Sequence, residues 1–429
     1  MGGLKICGYL TTNKTNNSTR ETRLEPLQHR STHNKVANLA GAQHHNVGGI
    51  RQSFTPVALQ GRHWGKIAKL GTNLMDGPRP LQIEVLINSP GPHDQVRVRE
   101  PFLALQQLGV NCRIHERPFR FNSCIRPHSL VIWQRPLPES SQRQWEHLQW
   151  LRERGCILLT EWDDHPELFP KALQAKFEFI NWAHLKMCHG LHTSSINLAK
   201  ALEKFQPISV VVENNIAQIP TLNLAKHKSN NLRVFIGNQN RSIEHFKLCG
   251  EIKKWLRDNE NIHMVIVGDP KLSAALPKNR VESHALLGYH SYRKLLSSCQ
   301  IALIPLEPSL PNSCKTPIKL LECAAESVAT ISGPELYYKQ AIFGVSVYAK
   351  QLSEIIPLAA DLSNNLSARL ELVSKSHGWA NSEMSLKRDL PYRLWIYEHL
   401  WAKRLQLDNK LQKRFADSAF AFPKNSFTI

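Results

Sequence analysis

PLEPSLPNSCKTPIKLLECAAESVATISG, residues Pro305 to Gly333, reads as a strand end, a loop, a helix and a buried strand. The run from Gln300 to Pro305 predicts a strand that feeds a polar loop punctuated by Pro308, Pro311 and Pro317. The spacing then predicts a short helix from about Thr316 to Glu326 and a second buried strand over Val328 to Ser332, stopped by Gly333-Pro334. Lys315, Lys319 and Glu322 fall at or just inside the helix start, where unpaired backbone N–H groups and the helix dipole favour an anion. Lys319 and Glu322 are three apart and share a face. Two cations and one carboxylate suit a ligand that joins phosphates to a diol, as a nucleotide sugar does.

Outward from this stretch the same alternation repeats in both directions. Upstream, strands are predicted at Ile83–Ile87, Asn111–His115, Leu130–Gln134, Cys156–Thr160, Gly190–Thr193 and Ser209–Val212. The intervening helices are predicted at Val96–Leu108, Ser140–Arg154, Phe177–Cys188 and Ser195–Phe205. A polar segment, 220–231, reads as a linker, and the pattern restarts with a strand at Arg233–Gly237 and a helix from Ser242 to about Arg257. An aromatic amphipathic helix is predicted over Leu390–Leu405. Short strands alternating with helices predict an α/β protein of two Rossmann-like, doubly wound lobes. The expected division is a basic, disordered extension at 1–78, a first lobe at 79–219, the linker, a second lobe at 232–380, and a helical tail at 381–429 packing back on the first lobe.

With 54 Lys and Arg against 35 Asp and Glu, the 429-residue chain carries a formal charge of +19, so its partners are expected to be anionic. General surface basicity explains the same figure. Nucleic acid is not expected, because no recognised module stacks aromatics within a basic strand. The nine cysteines form no CxxC pair, which predicts free thiols, a reducing compartment and no bound metal. No apolar run approaches the length of a membrane span. A cytoplasmic protein with peripheral contact to an anionic membrane fits these features.

The order of segments resembles glycosyltransferases of the GT-B fold, group 1, the bacterial type that uses nucleotide sugars. The resemblance runs from about Leu81 to Ser374 and rests on Gly190–Ser195, Val212–Asn215, Phe235–Gly237, Leu287–Tyr289, Ile318–Ala325 and Val328–Gly333. It implies a metal-independent transferase without a resident cofactor, acting on a glycan, lipid or protein acceptor. Glu322 matches the second carboxylate of the family's Glu–seven residues–Glu motif, which binds the donor ribose, while the first carboxylate falls at Cys314. Lys315 resembles a Lys found just after that position in a variant branch. Gly237 and Arg241, at the opening turn of the donor lobe, join Lys315, Lys319 and Glu322 as the implied donor site. Arg241 and Lys315 would stabilise charge on the leaving diphosphate. Asp163, Asp164 and His165 occupy the position of the family's acidic or His-bearing loop, with Asp163 and His165 the implied catalytic pair. An ordinary helix start at Pro166 explains the same residues. The absent first carboxylate leaves a second reading open, a catalytically degenerate GT-B-like binding or scaffold protein.

Overall fold

The computed structural model describes residues 80–416 apart from 89, 119–123 and 238–241. The expected extension at 1–78 and the candidate Arg241 lie outside the described residues.

Among the described residues, twelve strands form two six-stranded sheets. The first comprises β1 (Gln82–Ile87), β2 (Asn111–Glu116), β3 (Leu130–Gln134), β4 (Ile157–Trp162), β5 (Gly190–Thr193) and β6 (Ser209–Val211), in the order β2-β1-β3-β4-β5-β6. The second comprises β7 (Leu232–Gly237), β8 (Ile262–Val267), β9 (Val281–His284), β10 (Ile301–Leu306), β11 (Ala329–Pro334) and β12 (Val347–Tyr348), in the order β12-β11-β10-β7-β8-β9. Every pairing is parallel. A parallel sheet needs both faces covered, and the side-chain alternation shows how this is met. Ile83, Val85 and Ile87 of β1 join one apolar cluster while Leu86 joins the cluster on the opposite face. Val234 and Ile236 of β7 are likewise divided from Phe235. The α/β, two-lobed, doubly wound reading of the sequence is the observed fold.

Three local differences have physical causes. The expected helix Val96–Leu108 is broken into a π-helical turn, Gln95–Arg99, and an α-helix, Glu100–Gln107. Pro101 has no N–H to close a regular turn there, and the widened turn carries Arg97 into the interior, 2% exposed. The expected helix Phe177–Cys188 is instead two, Lys171–Phe179 and Ala183–Lys186. Asn181 and Trp182 between them adopt left-handed conformations, φ 50° and 53°, so that Trp182 stacks on Phe177 and Phe205 at 5.1 and 4.9 Å. Lastly, the aromatic helix runs over Leu386–Ala402 and is followed by a further helix, Arg404–Ala416. Leu390, Tyr397, Trp401 and Leu407 from this pair enter the first sheet's core.

Glycine is required at two strand ends. A Cβ on Gly237 would stand 2.7 Å from the Phe235 ring and 3.1 Å from Val267 Cβ. Gly333 has φ +129°, and a Cβ there would meet the Ala349 carbonyl oxygen at 2.2 Å. Gly333→Ala is therefore expected to cost about 2 kcal/mol or more, read as a lowered midpoint in urea.

Candidate active site

In each sheet the first strand is flanked by strands made later in the chain, β1 by β2 and β3, and β7 by β10 and β8. The winding reverses at that strand, which opens a crevice beyond the carboxyl ends of its neighbours, the usual ligand position in such sheets. Functional side chains gather at both crevices.

In the second lobe a pocket lies beside β7 and β10, lined among others by Gly237, His245, Tyr292, Pro305, Lys319 and Cys323. Next to it, the motif helix runs over Ile318–Ala325. Glu322 on this helix is 3% exposed. Its Oε2 accepts from the Tyr292 hydroxyl at 2.9 Å and from the Lys319 ammonium at 3.2 Å. The same ammonium lies 4.4 Å from the centre of the Tyr292 ring, a cation–π contact. Burial and the charge of Glu322 push the Tyr292 phenol well above its ordinary pKa, so it remains a donor. Tyr292, on the helix Tyr289–Ser297, has no motif in the sequence; its signal was only an apolar position on a helix face. One turn along, Glu326 pairs with Arg293 at 2.6 Å, and that guanidinium also donates to the Gln218 carbonyl at 3.1 Å. This second pair ties the end of the motif helix to the segment just before the linker rather than to the pocket.

In the first lobe a buried polar network fills the space beyond β1, β4 and β5. Arg97 donates to Glu161 Oε1 at 2.8 Å, the Val212 carbonyl at 2.7 Å and Asn214 Oδ1 at 3.0 Å, and its third nitrogen stands 3.2 Å from His192 Nδ1. His192 Nε2 lies 2.9 Å from the Tyr397 hydroxyl. Burial pushes the Glu161 carboxyl up to about 7 despite Arg97. Burial, with Arg97 adjacent, holds His192 well below its ordinary value. Toward the crevice, Arg135 donates to Asp163 at 2.6 Å and to Asp164 at 2.6 Å. Burial opposes ionisation of Asp163, but Arg135 outweighs it and holds that carboxyl below its ordinary range. Asp164 goes the other way, raised by burial and by the charge of Asp163.

His165 occupies a different role from its neighbours. It is 7% exposed and caps the one-turn helix Pro166–Leu168, its Nδ1 accepting from the Glu167 N–H at 3.3 Å. The helix start at Pro166 is thus present, with His165 rather than an aspartate as the cap. Burial keeps His165 below its ordinary pKa.

The two crevices meet along the loop that precedes the motif helix. Ser195 donates to the Cys314 carbonyl at 2.6 Å, Asn197 to the Ser313 carbonyl at 2.9 Å and Asn214 to Thr316 Oγ1 at 2.7 Å. Cys314 is 1% exposed and belongs to the apolar cluster of the first lobe. Lys315, the next residue, acts electrostatically on Asp164 and opposes its protonation. The structure thus leaves Lys315 within electrostatic range of Asp164, and pairs Lys319 with Glu322 within the second lobe. Arg135, Glu161, Tyr292, His245 and Asp269 were not singled out as site residues from sequence. The only local signal among them was Asp269-Pro270 after an apolar strand, an ordinary helix-cap pattern.

Among the described residues no three His, Cys, Asp or Glu side chains are grouped to hold a metal ion, and no helix is long and apolar enough to cross a membrane. No protein-family model matches the sequence, and no curated protein matches it. Solved structures do match in fold. Anabaena HepE in complex with UDP-glucose superposes with a TM-score of 0.52 at 11% identity, over 75% of this chain and 99% of that one. An alpha-glucosyltransferase in complex with UDP-glucose and DNA containing an abasic site gives 0.52 at 8% identity, over 75% and 100%. TarM gives 0.47 at 12% identity over 63% of this chain, which spans about half (54%) of the length of TarM. The chain adopts the two-lobed GT-B fold.

Proposed function

We propose that this chain is a glycosyltransferase that moves a sugar from a nucleoside diphosphate to a hydroxyl of a glycan, lipid or protein acceptor. The observation that carries the reading is Glu322, a buried carboxylate held by Tyr292 and Lys319 beside the crevice of the second lobe. Among the described contacts both partners approach Oε2, which leaves Oε1 for the ribose diol. Two of the solved structures sharing the fold contain UDP-glucose, in keeping with a donor of this class.

In the transfer, the acceptor oxygen bonds to the anomeric carbon as the bond from that carbon to the diphosphate breaks. The electron pair leaves with the diphosphate, and the acceptor proton passes to a base. Lys319 and Lys315 supply positive charge along the path of the departing diphosphate, with Arg241 assigned to the same task from its sequence position. Of the acidic turn, Asp164 is the best placed proton acceptor. Its carboxyl is raised by burial and by the charge of Asp163, and it is more exposed than Asp163 (29% against 13%). His165 then serves the turn as its cap. With Cys314 buried in place of a carboxylate, recognition of the sugar falls to other groups of the cleft. The reading includes no resident cofactor, and it places the chain in the cytoplasm, where the +19 charge would favour an anionic membrane surface.

The reading is tested by thermal unfolding with UDP-, GDP-, ADP- and dTDP-sugars. A ligand at a hundredfold excess over its Kd stabilises by about 2.7 kcal/mol, which raises the midpoint by several degrees. One base is expected to do so, and slow release of free sugar from that donor is expected without acceptor. Failure of every sugar nucleotide to stabilise the chain would overturn the donor site. Stabilisation without any hydrolysis or transfer would point instead to the binding-protein reading.

A further inference from the structure

The second-lobe pocket contains an imidazole with no part in the reading above. His245 stands on the helix Ser242–Lys247 and is 1% exposed. Its Nδ1 lies 2.9 Å from Asp269 Oδ2, and Asp269 Oδ1 accepts from the Leu272 N–H at 3.0 Å, capping the helix Pro270–Ala275. Both oxygens of Asp269 are thus acceptors. Burial opposes ionisation of this carboxyl, but the hydrogen bond from His245 and the helix cap outweigh it and hold it below its ordinary value. An ionised carboxylate can only accept, so Nδ1 carries the proton in the His245–Asp269 bond. Nδ1 is thus committed to Asp269, and His245 is among the side chains that line the pocket.

The groups around the pocket decide what His245 meets there. The motif helix contributes the Lys319 ammonium, Glu322 already bonded to Lys319 and Tyr292, and the Cys323 thiol, which burial pushes up to about 12. The helix Tyr289–Ser297 contributes the Tyr292 phenol, committed to Glu322. On its own helix His245 is flanked by buried Glu244 and by Lys247, the latter paired with Glu307 beyond β10 at 2.6 Å. Among the described residues lining the pocket, none is an acid. A cation, a fixed imidazole backed by a carboxylate, and no lining acid describe a pocket for an anion. An imidazolium placed between Asp269 and such an anion donates to both, from Nδ1 and from Nε2.

We propose that His245, held by Asp269, binds the diphosphate of the nucleotide ligand through Nε2–H as an imidazolium, next to Lys319. The assignment rests on the donor reading and adds a phosphate-binding residue from the helix after β7.

Calorimetry of the full chain with inorganic pyrophosphate and with UDP, GDP, ADP and dTDP tests this. His245→Gln is expected to weaken pyrophosphate and the bound nucleoside diphosphate roughly tenfold, the scale of one charge-assisted hydrogen bond. Asp269→Asn keeps the imidazole and the cap while removing the counter-charge, and is expected to give a smaller loss of affinity; it carries the test alone should His245→Gln not fold. Unchanged affinity in the variants overturns the assignment and leaves the donor reading standing. Pyrophosphate binding that depends on His245, with no nucleoside diphosphate bound, keeps the assignment and overturns the donor reading. A wild type that binds none of these ligands at millimolar concentration overturns both.

Discussion

Glu322→Ala is expected to lower kcat/KM for the sugar-nucleotide donor by about 100-fold, through KM and kcat together. The figure follows from the proposed role of Glu322 as a charged acceptor of ribose hydroxyls, each such hydrogen bond contributing about 1.5–3 kcal/mol. The same change leaves the Tyr292 hydroxyl and the Lys319 ammonium without the oxygen they share, at a cost to stability of about 1–3 kcal/mol. Glu322→Gln separates the two effects, because its amide oxygen still accepts from Tyr292 while the charge is gone. A Glu322→Ala variant that folds and turns over donor at the wild-type rate would remove Glu322 from the site.

The largest stability effect is expected at Asp408. Its carboxylate receives the Arg152 guanidinium twice, at 2.5 and 2.9 Å, and the two side chains are 2% and 0% exposed. His189 Nε2 adds a third contact at 3.2 Å, while His189 Nδ1 accepts from the Leu158 N–H at 2.9 Å. Removing one partner strands a buried charge, so Asp408→Ala should cost about 3–5 kcal/mol, measured as a loss of unfolding free energy in urea. Replacing Arg152 and Asp408 together by apolar residues should cost much less. Burial opposes ionisation of Asp408, but the hydrogen bonds from Arg152 and His189 prevail and hold its carboxyl well below 3.8, its ordinary value. The depressed group contributes its stability in full above that value and loses it as pH falls through the folded-state pKa. Wild-type stability should therefore fall more steeply in acid than that of the apolar double variant. Equal acid sensitivity would count against the pair as its source.

The architecture was legible because it depends on short-range pattern. Apolar runs such as Ile83–Ile87 and His263–Gly268, bounded by turn residues, can only be buried strands, and their alternation with helices leaves few topologies. Glu322 was also legible, as a lone carboxylate in an otherwise apolar helix. What decides the rest of the site is pairing at long range. Tyr292 reaches Glu322 from 30 positions away, and Arg97 reaches Glu161 from 64. No local pattern records such contacts. β4 was expected to end at Thr160 because Glu161 is charged; it extends to Trp162 because Arg97 receives that charge inside the fold. Asn181 and Trp182 interrupt a helical pattern for the sake of aromatic stacking, which periodicity does not register.

The return of the last helices to the first sheet has a consequence for the order in which the protein is made. The second lobe's apolar clusters draw their buried members from residues no later than Ala380. Those of the first lobe need Tyr397, Trp401, Leu407 and Leu411, and Arg152 waits for a partner 256 residues downstream. During synthesis the lobe that emerges first is the one completed last. Its open sheet face, and the Arg152 site that Asp408 later closes, remain a burden on the nascent chain until the helices Leu386–Ala402 and Arg404–Ala416 leave the ribosome.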